Sequence, residues 1–207
     1  MTADRKAYKR ESEEARRDAL ILAAMDLVAE GGSQAATVRA IADRAGVTPG
    51  LIRHYFTSKE ELTRAAYRRL MDWMTRDSAG ALLQGDKGPK ARLAAFVSAS
   101  LRPPVIDPRR LGLWAGFLNT LRSDPAMREV HEQGYRAYRD ILETLISQLP
   151  RASTPERDRR DAIACNAVID GLWLEGSALP DGFAAGELES IGLAAISAIL
   201  AIDLTGP

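Results

Sequence analysis

Few residues in this chain could do covalent chemistry. It has two histidines, His54 and His131, and a single cysteine, Cys165. His54 lies in Arg53-His54-Tyr55, inside a basic stretch, and His131 lies in the charged run Arg-Glu-Val-His-Glu-Gln. Neither neighbours a nucleophile motif, and no GxSxG occurs. The run Gly171 to Gly176 lacks the Lys-Ser/Thr pair that would make it a phosphate loop. Cys165 sits in an apolar helical run, which suits an inert core thiol better than a nucleophile. One cysteine cannot close an internal disulfide, and no Cys/His cluster has ligand spacing. No catalytic residue, metal or cofactor is expected, and a reducing cytoplasm is the natural compartment.

The chemistry that does stand out is charge without acid. From Arg44 to Lys59 the chain carries Arg44, Arg53 and Lys59 and no acidic residue, with His54 and Tyr55 as further groups that can reach phosphates. The N-terminal arm adds Arg5, Lys6, Lys9 and Arg10 against Asp4 alone. The formal net charge of the whole chain is zero. Any nucleic-acid binding must therefore come from such a local excess, because phosphate neutralisation needs one.

The elements that would carry these residues are short helices. A first helix is expected from about Ser12 to Ala29, with Leu20, Ala23, Leu27 and Val28 on one face and Gly31-Gly32 as its stop. Thr37 reads as the N-cap of a helix over Val38 to Ala45, and Gly46 ends it. Thr48 is the next N-cap candidate, followed by Pro49 at the first helical position and a very short helix to Phe56. Ser58 and Glu61 then form a capping box for a long fourth helix. Two short helices joined by a three-residue glycine turn make a helix-turn-helix, whose second member can enter a major groove. Ile52 and Phe56, four apart, would pack inward. Pro49, Gly50 and Arg53 would then project outward, with Gly50 letting the backbone approach DNA closely. Spacing alone leaves open a plain three-helix corner with a solvated basic face.

The run TVRAIADRAGVTPGLIRHYFTSKEELTRAAYRRL, Thr37 to Leu70, resembles the DNA-binding signature of the TetR/AcrR family of bacterial repressors. Its most specific residues are Ala42, Ala45-Gly46-Val47-Thr48, Gly50, Tyr55-Phe56, Lys59 and Leu62. Gly-Leu-Ile before His-Tyr-Phe, and the later stretches LGLWAGFLNTLRSDPAM and AVIDGLWLEG, resemble the choline-responsive regulators of glycine betaine synthesis within that family. The resemblance implies a homodimeric all-α repressor that binds double-stranded operator DNA. It implies phosphate contacts from Thr37 and Lys59, a groove-facing set of Thr48, Pro49, Gly50 and Arg53, and backbone contacts from His54 and Tyr55, with Arg39 completing the DNA-binding set. Arg53 is the candidate for base readout, since arginine pairs bidentately with guanine. A phosphate contact is its alternative role.

The rest of the chain reads as more helix. Asp107-Pro108, Asp124-Pro125 and Thr154-Pro155 each pair a capping residue with proline ahead of an apolar-periodic stretch. Helices are predicted over about 89–101, 108–122, 125–149, 155–178 and 186–204, for about nine helices in all, with a break at 84–89 and no strands. The last two helices are apolar on more than one side, as helices buried on two sides are. The expected dimer face is Ile163, Ala167, Gly171 and Leu174 with Leu188, Ile191, Ala195 and Ile199. Gly171, Gly176, Gly192, Ala195 and Ala198 would allow close helix approach. A fully internal helix of a monomer is the alternative.

Trp73, Phe96, Trp114, Phe117, Tyr135, Tyr138 and Trp173 are candidate pocket aromatics, and Asn119, Asn166, Asp170 and Glu175 are polar groups in apolar surroundings. The expected ligand set is Trp73, Phe96, Trp114, Phe117 and Asn119, with Tyr138, Asn166, Asp170 and Trp173. A buried carboxylate is expensive unless paired, and aromatic faces beside one suit a quaternary ammonium ligand such as choline. The bland alternative is that the aromatics are core and Asp170 bonds an arginine or a cap.

At 207 residues, 46% apolar and 27% charged, the composition is that of an ordinary soluble globular protein. No apolar run approaches the roughly 18 residues of a membrane span, and the charged N-terminus lacks a signal-peptide core. The expectation is a helix-turn-helix DNA-binding domain over 1–57 and a helical ligand-binding and dimerisation domain over 58–207. The function expected is that of a transcriptional repressor released from a palindromic operator by a small-molecule effector. A helical interaction module without DNA affinity, and a DNA-binding regulator without a ligand, are the rivals.

Overall fold

The computed structural model describes the backbone of residues 2–83 and 88–205, and side chains from residue 13 onward within those spans. The described residues form nine α-helices and no strand: α1 Thr2–Ala35, α2 Val38–Ala45, α3 Pro49–Tyr55, α4 Lys59–Gly80, α5 Pro89–Ser100, α6 Pro108–Leu118, α7 Pro125–Ser147, α8 Pro155–Ala178 and α9 Glu187–Leu200. Short 3-10 turns follow α4 and α6. The all-α class and the helix count agree with the sequence pattern. Most of the expected break at 84–89 lies outside the described residues.

Local chemistry explains the boundaries. The Thr37 hydroxyl accepts from the Ala40 N–H at 3.1 Å and caps α2. Gly46 ends that helix at φ +67°, a left-handed position that suits glycine. The Asp124 carboxylate accepts from the N–H groups of Ala126 and Met127 at 2.9 and 3.2 Å. Asp107 accepts from Arg109, and Thr154 from Arg157, in the same role. At α4 the Ser58 hydroxyl accepts from the Glu61 N–H at 3.1 Å, as a capping box requires. Glu61 reaches back one residue further than expected and accepts from both the N–H and the hydroxyl of Thr57, at 2.7 Å each. Those two bonds hold its carboxyl below the usual carboxylate range.

Several boundaries differ from expectation, α1 running to Ala35 rather than Ala29 and α6 giving way after Leu118 to a 3-10 turn. The first helix begins at Thr2 rather than near Ser12, because the arm is rich in Ala, Arg, Lys and Glu and contains no breaker. The helical backbone does break at Gly31 and Gly32, as expected, with Gly32 at φ +70°. The last helix stops at Leu200 rather than 204. Ala201 turns left-handed (φ 54°), and the Leu204 N–H donates to the Ser197 hydroxyl at 3.0 Å. Leu204 thus reaches the core by folding back, not by extending the helical stripe.

The helices gather into two compact units. The first takes Met1–Leu70 with Gly112–Val130, and the second takes Met71–Leu111 with His131–Pro207. In the first, Leu20, Ile41, Ile52, Phe56, Leu62 and Tyr67 are almost fully buried, and Tyr67 meets Phe117 of α6 with ring centroids 5.2 Å apart. Gly116 of α6 lies so near α1 that a Cβ there would come 2.8 Å from the Val28 side chain. Arg64 pairs with Asp124 at 2.9 Å and Arg69 with Asp18 at 2.6 Å.

The second unit has its own core, built from Leu93, Phe96 and Val97 of α5, Leu142 and Ile146 of α7, Cys165 and Ile169 of α8, and Ile196 and Leu200 of α9. A Cβ on Gly176 would come 2.4 Å from Leu188, and one on Gly192 would come 2.2 Å from Leu101. These two glycines therefore serve packing within the chain. Arg151, whose side chain is nearly buried, pairs with Asp158 at 3.0 Å and Asp161 at 2.6 Å, joining the loop before α8 to that helix. Burial pushes the Cys165 thiol up to about 12, as suits an inert core cysteine.

Candidate functional site

The helix-turn-helix is assembled by α1 to α3. Ile52 and Phe56 are buried as their spacing requires, at 2% and 1% exposure. Arg17 of α1 lies over the outer face of the Phe56 ring, 4.8 Å from its centroid. With one face of α3 fixed inward, the other is presented to solvent. Thr48, Pro49, Gly50, Arg53 and His54 are all exposed, and Tyr55 is half-buried with its ring edge-on to His54 at 5.0 Å. Thr48 occupies the N-cap position, yet its hydroxyl makes no capping bond, so it stays available to an outside partner. A Cβ placed on Gly50 would find only the Thr48 hydroxyl, at 4.0 Å. Packing does not demand a glycine there, and the space above it is open.

Thr37 and Arg39 are exposed at the start of α2, and Lys59 is half-buried at the start of α4. Arg39, Arg53 and Lys59 form no ion pair with any described residue. Arg44 differs from the expectation. Its guanidinium is held by both oxygens of Glu30 at 2.9 and 2.7 Å, which balances its charge. The two are 14 residues apart, beyond what a reading of the local run could register. The free basic set is thus Arg39, Arg53 and Lys59. The side chains of Arg5, Lys6, Lys9 and Arg10 lie outside the described residues.

The expected ligand residues divide between the units. Trp114, Phe117 and Asn119 belong to the first, where Phe117 is fully buried against Tyr67 and Asn119 is exposed in the turn after α6. The others belong to the second. Trp73 is half-buried on α4, and Phe96 is fully buried with its ring 5.1 Å from Tyr138. The buried Trp173 indole N–H donates to the Val105 carbonyl at 3.0 Å. Asp170 and Asn166 do come together, the amide donating to the carboxylate at 2.8 Å.

The Asp170 charge also acts on the phenols of Tyr135 and Tyr138 on α7. Tyr138 shares a 2.7 Å hydrogen bond with the Ser100 hydroxyl, and Ser78 of α4 interacts with the same phenol. Sequence reading had no signal for Ser78 or Ser100 in this cluster, because they come from α4 and α5. Burial raises Asp170 to about 6. It also raises Tyr135, helped by the Asp170 charge, to about 12 and pushes Tyr138 up further.

The expected dimer face also divides. Ile163 and Leu174 of α8 are 43% and 47% exposed and Ile191 of α9 is 43% exposed, all large for apolar side chains. Ala167 and Gly171 share the open side of α8, and Ala195 and Ile199 are half-buried. Leu188 turns inward onto Gly176.

Residues 20–66 match the family model of bacterial regulatory proteins of the tetR family, and residues 89–201 match that of the BetI-type transcriptional repressor C-terminal domain. The chain belongs to the TetR family. As a TetR-family protein it is a DNA-binding transcriptional regulator of the repressor class, not an enzyme, and this decides against an interaction module without DNA affinity. A curated TetR-family relative, the HTH-type transcriptional regulator BetI of Paraburkholderia phymatum, is 30% identical over 171 residues, covering 82% of this chain and 85% of its own. A solved transcriptional regulator from Pseudomonas aeruginosa PAO1 is 32% identical, covers 91% of each chain and superposes with a TM-score of 0.82. A regulator from Saccharomonospora viridis, solved in complex with choline, shares the fold at a TM-score of 0.70 and 20% identity, covering 86% of this chain and 93% of its own. Among the described residues no helix is long and apolar enough to cross a membrane, and no group of His, Cys, Asp and Glu could hold a metal.

Proposed function

We propose that this TetR-family protein is a cytoplasmic homodimeric repressor that leaves a palindromic operator when a small quaternary ammonium compound such as choline binds in its second unit. The observation that carries the dimer is the apolar face of α8 and α9, where Ile163, Leu174 and Ile191 remain exposed in the single chain. Such a patch on a soluble protein marks an interaction site, and an isologous two-fold contact is its simplest occupant. Two α3 helices would then address half-sites about 34–36 Å apart, one turn of DNA. Thr37 and Lys59 contact phosphates in this reading, while Arg53 reads a base edge. The BetI-type match over 89–201 and the choline-bound regulator of the same fold support the ligand class, as does a carboxylate beside two tyrosines.

The release mechanism follows from α4. Its first half, to Leu70, belongs to the unit that carries α3, and its second half, from Met71, belongs to the effector unit. Ser78, on that second half, touches Tyr138. An effector that prefers one direction of α4 shifts the population between two spacings of the reading heads, and only a differential affinity can do so.

The test is an anisotropy titration against DNA from the protein's own upstream region at two salt concentrations, with and without choline and betaine aldehyde, beside sedimentation of the free protein. Palindrome-specific binding by a dimer, weakened by one of these compounds, is the expected result. Specific binding that ignores both removes the ligand class and leaves a DNA-binding regulator with another effector or none. A monomer at micromolar concentration overturns the dimer.

A further inference from the structure

Several charged groups in the second unit are paired. Asp77 meets Arg110 at 2.6 Å, and Asp158 and Asp161 share Arg151. Asp170 is different. It is half-buried on α8, and among the described residues no Lys, Arg or His forms an ion pair with it. Its single described hydrogen-bond donor is the neutral Asn166 amide. Its charge acts on the phenols of Tyr135 and Tyr138 of α7. These rings are held in place, Tyr138 by Ser100 and Phe96, and Tyr135 by the His131 ring at 4.6 Å. A carboxylate withdrawn from water with no counter-charge is costly. The same carboxylate beside aromatic faces is what a quaternary ammonium needs, because that cation has no N–H to donate and is held by charge and π-faces alone.

We propose that Asp170, steadied by Asn166, anchors with Tyr135 and Tyr138 an organic-cation site that exchanges a proton for its ligand. This rests on the reading of the second unit as the effector-binding unit. In the empty site the carboxyl keeps its proton in mildly acidic solution. When the cation docks, the carboxyl O–H bond breaks, the proton passes to the solvent, and the carboxylate balances the fixed positive charge. No other charge changes. Tyr135 and Tyr138 stay protonated throughout. Ser78 and Ser100, from α4 and α5, do not titrate, and no titratable group of α9 acts on Asp170 among the described residues. His131, its ring tilted against Tyr135, is the other group that titrates nearby, and burial lowers it.

The experiment is calorimetric titration of the full-length protein with tetramethylammonium and with choline from pH 5.0 to 7.5, in buffers of different ionisation heat. With Asp170 at about 6, the ionised fraction falls about tenfold between those limits, so affinity falls about tenfold and proton release approaches one per cation near pH 5. The proton count is read on the wild type, so it does not depend on a variant folding. Asp170→Asn, checked for folding by its melting curve, is expected to lose both the affinity and the pH dependence. Wild-type binding that releases no proton, or that Asp170→Asn leaves intact, overturns the anchor and leaves the effector class standing. If neither cation binds the wild type at any pH, the effector class and the anchor both fall, and operator binding, measured separately, is untouched.

Discussion

Gly50 offers a substitution in which fold and function should move in opposite directions. It sits in the first turn of α3 with its face to solvent, and a Cβ there would meet nothing nearer than the Thr48 hydroxyl at 4.0 Å. Gly50→Ala therefore introduces no clash within the chain. It removes backbone freedom from the unfolded state, a gain of up to about 1 kcal/mol when a helical glycine becomes alanine. For a domain of this size that raises the melting temperature by about 2–4 °C. On DNA the added methyl stands where the backbone of α3 should approach the groove. Displacing that helix by the width of a methyl should forfeit about one base contact, worth about 1–3 kcal/mol, or tenfold or more in operator affinity. Differential scanning fluorimetry reads the first effect, and anisotropy on operator DNA at fixed salt reads the second. A variant with the higher melting temperature and unchanged operator affinity would refute the placement of α3 against DNA.

Four further outcomes are expected. Arg53→Ala should weaken operator binding by about 1–3 kcal/mol and relax preference at one base pair, measured with a panel of single-base operator variants, and an equal loss on every sequence would make Arg53 a phosphate contact. Lys59→Ala should weaken all DNA alike and reduce the slope of log affinity against log salt by about one, so a base-selective loss counts against it. Leu174→Lys, at a position 47% exposed in the single chain, should convert the dimer to monomer in sedimentation with helical content unchanged, and a persistent dimer would place the interface elsewhere. Asp170 is raised to about 6 from an ordinary 3.8, so the folded state binds its proton more tightly than the unfolded state does. Its contribution is most favourable below about pH 4 and is lost as pH rises through 6. Asp170→Asn should thus gain melting temperature over the wild type progressively between pH 4 and 6, and a constant difference across that window would show that the carboxyl is not perturbed.

Local punctuation made much of this architecture readable from the chain. Thr37, Gly46, Pro49 and the Asp-Pro and Thr-Pro pairs act within one helical turn of themselves, and helices α2, α3, α6, α7 and α8 begin where those residues place them. What could not be read depends on partners distant in sequence. Glu30 quenches Arg44 across the helix-turn-helix. Ser100 of α5 and Ser78 of α4 converge on Tyr138, and nothing in the run around Tyr138 announces them. Gly171, Gly176 and Gly192 look alike in the sequence as small residues in apolar helices. Yet two of them press against leucines of their own chain and the third opens on empty space. Apolar periodicity finds a face, but only packing tells which residue of that face looks inward. Leu204 shows the converse, since it reaches the core through a left-handed turn at Ala201 that no stripe could foretell.

Tyr67 against Phe117 and Val28 against Gly116 mean that the reading head is threaded through the chain twice. Its core closes only when a segment from beyond residue 111 returns to it. Hybrid regulators that join one protein's reading head to another's sensor by a single splice after Leu70 would therefore carry an open seam, with Tyr67 and Val28 meeting foreign side chains. Grafting 112–130 along with the head would keep matched surfaces together, at the cost of two more junctions. Paralogues in which those surfaces co-vary would be incompatible as donors and recipients, however well their operators or effectors suit the purpose.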